Sequence, residues 1–193
     1  MAEDTQPARV RTIDRHRRER VIAGALTVLA DYGVEGLTHR RVAEAAGVPL
    51  AATTYYFATR EELLGAAMED AADRDIAALR ERFVGVASPA DAARAMTSYV
   101  LDTAQDRTGT VITAELATAA LRRPALRAIA ERWDTAWIDC LSPVVGTLAA
   151  LALSTLTPGL FQRALSGSDA TEITAIVDQV LGLSGPTPAA GPD

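Results

Sequence analysis

Lysine is absent from this chain, and cysteine, histidine and aromatic residues are scarce. All 19 basic residues are arginine, which indicates a bias of the coding genome rather than a mechanism. The single cysteine, Cys140, excludes an internal disulfide and is typical of the reducing cytoplasm. His39, one of only two histidines, is better explained as a phosphate neighbour or a solvated residue than as a metal ligand. The sequence therefore predicts a cytoplasmic protein without a metal or a cofactor.

The motifs of common enzymes are also missing. The chain has no H-E-x-x-H, no G-x-S-x-G, no phosphate loop, no dinucleotide fingerprint and no C-x-x-C. Its N-terminus is polar and charged, so we expect no signal peptide. Residues 140–162 carry no charge and could span a bilayer in length, but their prolines, glycines and hydroxyl side chains favour buried helices. We expect neither an enzyme nor a membrane protein.

Strand patterns are lacking as well, and the composition favours helix. Hydrophobic residues make up 49% of the 193 residues, alanine is abundant, and there are nine prolines. This length is enough for one or two small domains with a real core. The sequence therefore predicts an all-α fold.

The stretch 38–57, THRRVAEAAGVPLAATTYYF, carries the most informative pattern. Thr38 can cap a short helix, because its hydroxyl accepts a hydrogen bond from a free first-turn amide. Gly47 ends that helix, since glycine adopts the left-handed conformation without a steric clash. Pro49 suits the first turn of a second short helix, Leu50 to Tyr56. Two short helices around a glycine turn indicate a helix-turn-helix that reads duplex DNA.

The second short helix carries no acidic residue. Its small side chains Ala51, Ala52, Thr53 and Thr54 would let the backbone approach base edges in the major groove. An ordinary helical hairpin with a glycine corner is the alternative interpretation of this segment taken by itself.

Positive charge is concentrated at the same end of the chain. Residues 9–60 hold nine arginines and five acids, a net charge of +4, whereas residues 61–193 carry a net charge of −8. Arg60 lies in the first turn of a helix that opens with a T-R-E-E capping box, where a cation is unfavourable unless it meets a phosphate. A cationic end on an acidic chain indicates a phosphate-binding module. The basic arm consists of Arg9, Arg11, Arg15, Arg17, Arg18 and Arg20.

In the order of these elements the chain resembles the N-terminal domain of tetracycline-repressor-type (TetR) regulators, over about residues 14–64. The resemblance rests on T-x-x-x-V-A-x-x-A-G-V from Thr38 to Val48, on Tyr55-Tyr56-Phe57, and on Thr59-Arg60-Glu61-Glu62-Leu63. It implies a three-helix helix-turn-helix domain, 9–64, and a C-terminal helical domain for ligand binding and dimerisation, 65–183. The tails 1–8 and 184–193 are predicted to be disordered.

The resemblance also implies roles for individual residues. Thr38 and Arg60 match positions that hold phosphates, and Tyr56 matches a position that touches the DNA backbone. Arg40 matches a base-contacting position, and arginine can bond bidentately to guanine, although a solvated or phosphate-facing charge is the alternative. Pro49, Ala51 and Thr54 depart from the residues common in the family, so the operator bases are not specified. The predicted DNA-binding set is Thr38, Arg40, Leu50, Ala51, Ala52, Thr53, Thr54, Tyr55, Tyr56 and Arg60.

The remaining two-thirds of the chain is predicted to be a run of helices with apolar faces. The resemblance implies that about 148–183 pairs with its copy in a four-helix dimer interface; closure of the monomer core is the alternative. Pro158 should kink or split one of these helices, with Thr157 as a possible fresh cap. A dimer suits DNA, because two reading helices about 34 Å apart address successive major grooves.

An apolar cavity with one polar anchor is predicted within this C-terminal part. Trp133 and Trp137 are one helical turn apart, and Glu115 lies among apolar neighbours, where it could anchor a cationic or hydroxylated compound. Simple core packing is the alternative explanation of the aromatic residues. The candidate ligand-binding residues are Met96, Tyr99, Glu115, Trp133, Trp137 and Phe161.

The sequence as a whole predicts a ligand-released homodimeric repressor of a palindromic operator. Its expected partners are double-stranded operator DNA, a second copy of the chain and a small-molecule effector. Such a ligand releases DNA only through its differential affinity for two arrangements of the protein. A helical adaptor that binds protein alone is the competing prediction.

Overall fold

The computed structural model describes residues 15–183, and within that range the fold is all-helical without a strand. The predicted all-α class is therefore confirmed. Arg9, Arg11 and the two predicted tails, 1–8 and 184–193, lie outside the described residues. Along the described chain the helices are α1 (Arg15–Gly36), α2 (His39–Ala45), α3 (Leu50–Tyr56), α4 (Arg60–Arg82), α5 (Pro89–Gln105), α6 (Arg107–Ala120), α7 (Pro124–Val145), α8 (Thr147–Leu165) and α9 (Ala170–Leu181).

The first helix is broken at a glycine near its end. Gly33 has φ 65° and ψ −178°, a conformation that a residue with a β-carbon rarely adopts. One short helical turn follows the break and ends at Gly36. The break leaves the peptide groups around Val34 without their normal helical partners, so they must be satisfied from elsewhere.

Side-chain caps set the start of several helices, and two of them, Thr38 and Thr59, are those that the sequence predicts. Thr38 accepts a hydrogen bond from Arg41 N at 3.3 Å, and Thr59 accepts one from Glu62 N at 3.1 Å. Asp169 does the same for Glu172 N at 3.0 Å. Each bond satisfies an amide that the helix itself leaves unpaired, and this fixes where α2, α4 and α9 begin.

The sequence predicts that Pro158 kinks or splits its helix, and the split is wrong. α8 runs on through Pro158 to Leu165. Thr157 does not cap a new helix, because its hydroxyl donates backward to the carbonyl of Leu153 at 2.9 Å. Pro158 itself is exposed, whereas Thr157 and its neighbours on the inner face are buried, so packing holds the turn together despite the missing amide.

Two hydrophobic clusters form the core. The first joins α1 and α2 to the first half of α4, to α6 and to the start of α7. The second joins the end of α4 to α5, α8, α9 and the second half of α7. Trp133 on α7 packs against both clusters and so lies at their junction.

The helices of residues 15–183 include none that is long and apolar enough to cross a membrane. The charge-free stretch 140–162 is divided between α7 and α8 at Gly146, which has φ 82°.

Candidate nucleic-acid interface and ligand cavity

Helices α2 and α3 meet at a tight glycine turn, as the sequence predicts. Gly47 has φ 61°, and no other atom lies within 4 Å of the position that a β-carbon would take there. Val48 N donates to Ala43 O at 3.0 Å, and the Val48 side chain packs against the first core cluster. The turn is thus fixed by backbone bonds and by one apolar contact, and this sets the angle of α3.

The short helix α3 has an outward face and an inward face. Leu50 and Tyr55 have exposed fractions of 51% and 63%, and Ala51 and Thr54 are exposed as well. The outward face carries no acidic side chain.

Two residues of the predicted base-reading stretch lie on the inward face instead. Ala52 is buried, and Thr53 has no exposed surface. The Thr53 hydroxyl donates to Leu50 O at 2.8 Å and lies 3.2 Å from His39 Nδ1. A side chain enclosed in this way cannot reach a base edge, so the surface offered to DNA excludes Ala52 and Thr53. Helical spacing requires this outcome, because a seven-residue helix cannot expose four consecutive positions on one face.

The two arginines of α2 have different surroundings. Arg41 donates to Gly36 O at 2.8 Å and stacks over the Tyr32 ring at 4.8 Å, so it holds α2 against the end of α1. Arg40 is exposed, and no hydrogen bond or ion pair joins it to another residue within 15–183. Arg40 is therefore the arginine of α2 that is available to a partner.

Two adjacent tyrosines close the outward face. The rings of Tyr55 and Tyr56 are 5.1 Å apart in an edge-to-face arrangement, and Tyr56 is half-buried against the first core cluster. Packing limits the rotamers of Tyr56 and leaves part of its ring at the surface. A tyrosine fixed in this way can present its hydroxyl at little further cost in side-chain entropy.

Arg60 does not have the surroundings that the sequence predicts. Its guanidinium donates to Val34 O and lies 3.6 Å from Glu35 Oε2. The cation in the first turn of α4 thus has a partner within the fold, the Val34 carbonyl at the end of α1, which also accepts a hydrogen bond from Leu37 N at 3.2 Å. The basic arm is also engaged, since Arg18 lies over the Phe57 ring at 5.2 Å.

An apolar cavity of about 290 Å³ lies between the end of α5 and helices α6, α7 and α8. Trp133, Trp137 and Phe161 line it, as the sequence predicts. The polar groups on its walls are hydroxyls of threonine and serine, the Gln162 amide and the carboxyl of Asp134, whose pKa burial raises above its ordinary value. The cavity is therefore mostly aromatic and aliphatic, with a few polar groups.

Met96 and Tyr99 do not line this cavity, which corrects two predicted ligand residues. Met96 is fully buried within the second core cluster. The Tyr99 ring meets Trp137 edge to face at 5.0 Å and Phe161 at 6.1 Å, so it supports the cavity wall from behind. Aromatic residues at helical spacing show the correct face of a helix, but they do not separate the lining of a cavity from the packing behind it.

The chain matches known families over both halves. Residues 21–67 match the family described as bacterial regulatory proteins, tetR family, and residues 87–183 match the tetracyclin repressor-like C-terminal domain. The SCO7518 protein of Streptomyces coelicolor A3(2) has the same fold, with a TM-score of 0.77 and 30% identity, over 86% of this chain and 98% of that one. The chain belongs to the TetR family.

Two further comparisons bear on the site of this TetR-family chain. The multidrug binding protein EbrR, solved with imidazole, is 32% identical with a TM-score of 0.70, over 90% of this chain and 97% of that one. Structures of EbrR with proflavin, ethidium and malachite green also match. The HTH-type transcriptional regulator PksA of Bacillus subtilis (strain 168) is 41% identical over 58 residues, which are 30% of this chain and only 28% of PksA.

Glu115 of this TetR-family chain does not line the aromatic cavity. Its carboxylate accepts a hydrogen bond from Val34 N at 3.2 Å, and its Oε1 lies 2.9 Å from where a β-carbon on Gly33 would be. Glu115, the predicted ligand anchor, therefore binds the backbone of α1 instead of facing the cavity. An acid among apolar neighbours on α6 is explained by the unpaired amide at the break in α1.

The structure also reveals a buried acid that sequence reasoning missed. Asp75 on α4 accepts a hydrogen bond from the Tyr99 hydroxyl at 2.5 Å. Burial raises the pKa of Asp75, while the hydrogen bond from Tyr99 and the nearby indole of Trp133 act in the opposite direction. A signal was present, because Asp75 follows Met68 and Ala71 on the apolar stripe of α4 at helical spacing. Asp75 is hard to recognise in the sequence because the charged residues Asp73 and Arg74 precede it.

Proposed function

We propose that this chain is a homodimeric repressor that binds a palindromic DNA operator and is released by an aromatic small molecule. The observation that carries the proposal is the outward face of α3, which has no acidic side chain and lies beside the exposed Arg40. A helix of this kind at the end of a helix-turn-helix can enter the major groove. The proposed DNA-binding domain is 9–64, and the proposed ligand-binding and dimerisation domain is 65–183.

The proposed DNA surface is smaller than the set expected from the sequence. Arg40 reads a base, and Thr38 and Tyr56 contact the phosphate backbone. Arg60 supports DNA binding indirectly, because its hydrogen bond to Val34 O holds the end of α1, against which α2 packs. The contacting set is Thr38, Arg40, Leu50, Ala51, Thr54, Tyr55 and Tyr56.

A second copy of the chain is proposed to pack on the outer faces of α8 and α9. Their inner faces close the monomer core through residues such as Leu153 and Ile173, so the alternative of core closure describes only one side of these helices. On the other side Leu148 has an exposed fraction of 82%, and Leu151 and Leu165 are half exposed. A contiguous exposed apolar face is typical of a protein interface, and Leu148 and Leu151 lie one helical turn apart on the same helix. Two-fold pairing of these faces would present two copies of α3 to one side of a duplex.

The effector is proposed to be a ring compound in the cavity lined by Trp133, Trp137 and Phe161. Cavities of about 300–1,000 Å³ with mostly apolar walls hold small ligands. This cavity lies near the lower limit, and flat rings fit between aromatic walls at low cost. The EbrR complexes with proflavin and ethidium support testing such compounds on this chain.

Helix α6 provides a path from the cavity to the DNA-binding end. The residues Thr113 and Ala114 line the cavity, and the next residue, Glu115, accepts the hydrogen bond from Val34 N at the break in α1. A ligand that moves α6 therefore moves the support of α1 and α2. The ligand shifts the protein only toward an arrangement that it binds more tightly than it binds the operator-bound arrangement.

Replacing Glu115 by alanine is expected to weaken the response to effector. Val34 N would lose its partner, which costs about 1–3 kcal/mol for a buried donor, and α6 would lose its bond to α1. Glu115→Gln keeps an acceptor oxygen at the same place and is expected to restore the response. Operator release by proflavin, followed by fluorescence anisotropy of labelled DNA, measures the effect. An unchanged release curve for Glu115→Ala would contradict this path.

Binding to DNA that flanks the gene for this protein tests the core of the proposal. A protein that neutralises six or more phosphates loses at least roughly 1,000-fold in affinity between 50 and 200 mM salt. We expect such a loss on a palindromic duplex, measured by anisotropy across that range. The competing helical adaptor predicts no retained DNA at any salt concentration, and that result would overturn the proposal.

A further inference from the structure

Two buried polar atoms at the junction of the core clusters lack a hydrogen-bond partner among the described residues. They are Oδ2 of Asp75 and Nε1 of Trp133. A buried polar group left unpaired costs about 1–3 kcal/mol, so each such group calls for a physical explanation. The indole of Trp133 is near enough to lower the pKa of Asp75, but the two groups do not meet in hydrogen-bonding geometry.

Both residues line a second cavity, of about 400 Å³, enclosed by α1, α4, α6 and α7. Trp133 also lines the aromatic cavity, so its indole is a wall common to both. Thr113 and Leu116 of α6 are common to both cavities as well. The two cavities therefore adjoin at Trp133 and α6, and Asp75 lies on the side of the second cavity.

The second cavity favours a positively charged or hydrogen-bond-donating group. Asp75 and Asp106 both contribute carboxylates to its wall. Arg74 lines it too, but the Arg74 guanidinium is paired with Asp70 at 2.7 Å. The Tyr99 hydroxyl donates a hydrogen bond to Oδ1 of Asp75 and thereby orients the carboxyl. Oδ2 remains available as an acceptor.

We propose that Asp75 is the polar anchor of the effector site, and that the effector is an aromatic amine whose N–H donates to Asp75 Oδ2 while its rings lie against Trp133. This inference rests on the proposed effector function and narrows its ligand from any ring compound to one that carries a donor nitrogen. A hydrogen bond between an amine and a buried carboxylate is assisted by charge and is about twice as strong as a neutral one.

The position of this anchor connects it to the DNA-binding end. Ala23, Leu26 and Thr27 of α1 line the same cavity, opposite Asp75 on α4. A nitrogen-bearing group placed there lies between α1 and α4, the two helices that flank α2 and α3. Filling the space changes the packing of α1 on α4, which gives the ligand the differential affinity that release requires.

Proflavin and acridine provide a matched pair of probes. They share three fused rings, but only proflavin carries amino groups, and acridine is uncharged at mildly alkaline pH. Because both tryptophans of the chain line the aromatic cavity, quenching of intrinsic fluorescence reports binding of either compound. We expect Asp75→Asn to lower the affinity for proflavin at least about 10-fold and to leave that for acridine unchanged, since an amide NH₂ would oppose the donor.

Two further variants separate anchoring from folding. Asp139→Asn changes an exposed carboxyl of α7 that lines neither cavity, and it is expected to leave both affinities unchanged. Tyr99→Phe removes the bond to Oδ1 but keeps the Asp75 carboxylate, so proflavin binding is expected to persist even if the melting temperature falls. If Tyr99→Phe and Asp75→Asn lose proflavin alike, Asp75 is a structural residue and the anchor is overturned.

The remaining outcomes separate this inference from the proposed function. Equal loss of both probes in Asp75→Asn, no loss of either, or a selective loss in Asp139→Asn would overturn the anchor and leave an aromatic effector in place. A wild-type protein that binds neither probe would overturn the aromatic effector together with its anchor. Salt-dependent operator binding would stand in every one of these cases.

Discussion

Replacing Leu148 and Leu151 together by arginine is expected to produce a monomer that no longer retains operator DNA. Both side chains point outward from α8, so the change costs the monomer little, while in a two-fold interface it places like charges against each other. A stable interface buries at least about 1,000 Å², and removing its apolar centre leaves too little to hold the pair. Light scattering coupled to gel filtration measures the mass, and anisotropy measures operator affinity.

Val84 and Leu121 offer a matched control for this pair. Each has an exposed fraction of 80%, comparable to that of Leu148, and both lie outside α8 and α9. The double change Val84→Arg with Leu121→Arg adds the same charge and removes similar apolar surface. We expect it to leave the protein dimeric and the operator affinity within about twofold. A dimer that persists in the α8 variant would place the interface elsewhere on the chain.

Capping residues and glycines predict the helix boundaries of the DNA-binding domain well. Thr38 and Thr59 cap their helices, and Gly33 and Gly47 have the positive φ angles that their places at helix ends suggest. These features depend on a few neighbouring residues, so the sequence is enough to predict them. The bounds of α3, Leu50–Tyr56, agree with the prediction for the same reason.

The errors concern side chains whose partners are distant in the sequence. The sequence predicts Glu115 at a ligand and Arg60 at DNA, whereas in the fold Glu115 accepts from the amide of Val34 and Arg60 donates to its carbonyl. Nothing near Glu115 in the sequence shows that an unpaired amide lies 81 residues away. A charged residue in an apolar setting signals a missing partner, but only the fold identifies whether that partner is a ligand or the backbone.

Helical spacing alone also does not show whether the aromatic residues line a cavity or pack in the core. Trp137 and Tyr99 pack at right angles in the second core cluster, and Trp137 also faces the aromatic cavity. Core packing and cavity lining were treated as alternatives, whereas one side chain serves both. Sequence pattern does not identify Asp75 for a related reason, since its partner Tyr99 lies on another helix, 24 residues further along the chain.

Arg40→Ala is expected to lower the affinity for the operator at least about 30-fold and to reduce discrimination against a scrambled duplex. A bidentate arginine contact to guanine contributes about 1–3 kcal/mol of discrimination, and a dimer would use two copies. The change should not disturb the fold, because Arg40 is exposed and has no ion pair with another described residue. Competition binding on cognate and scrambled duplexes of equal length measures both quantities.

Two further variants test whether the loss at Arg40 comes from reading a base or from charge alone. Arg40→Lys keeps the charge but not the planar pair of donors, so it should recover much of the affinity for scrambled DNA and little of the discrimination. Arg127→Ala removes an exposed arginine of α7 and should change neither quantity. If Arg40→Ala weakens cognate and scrambled binding equally, Arg40 contacts phosphate, and the bases are read by the exposed side of α3 alone.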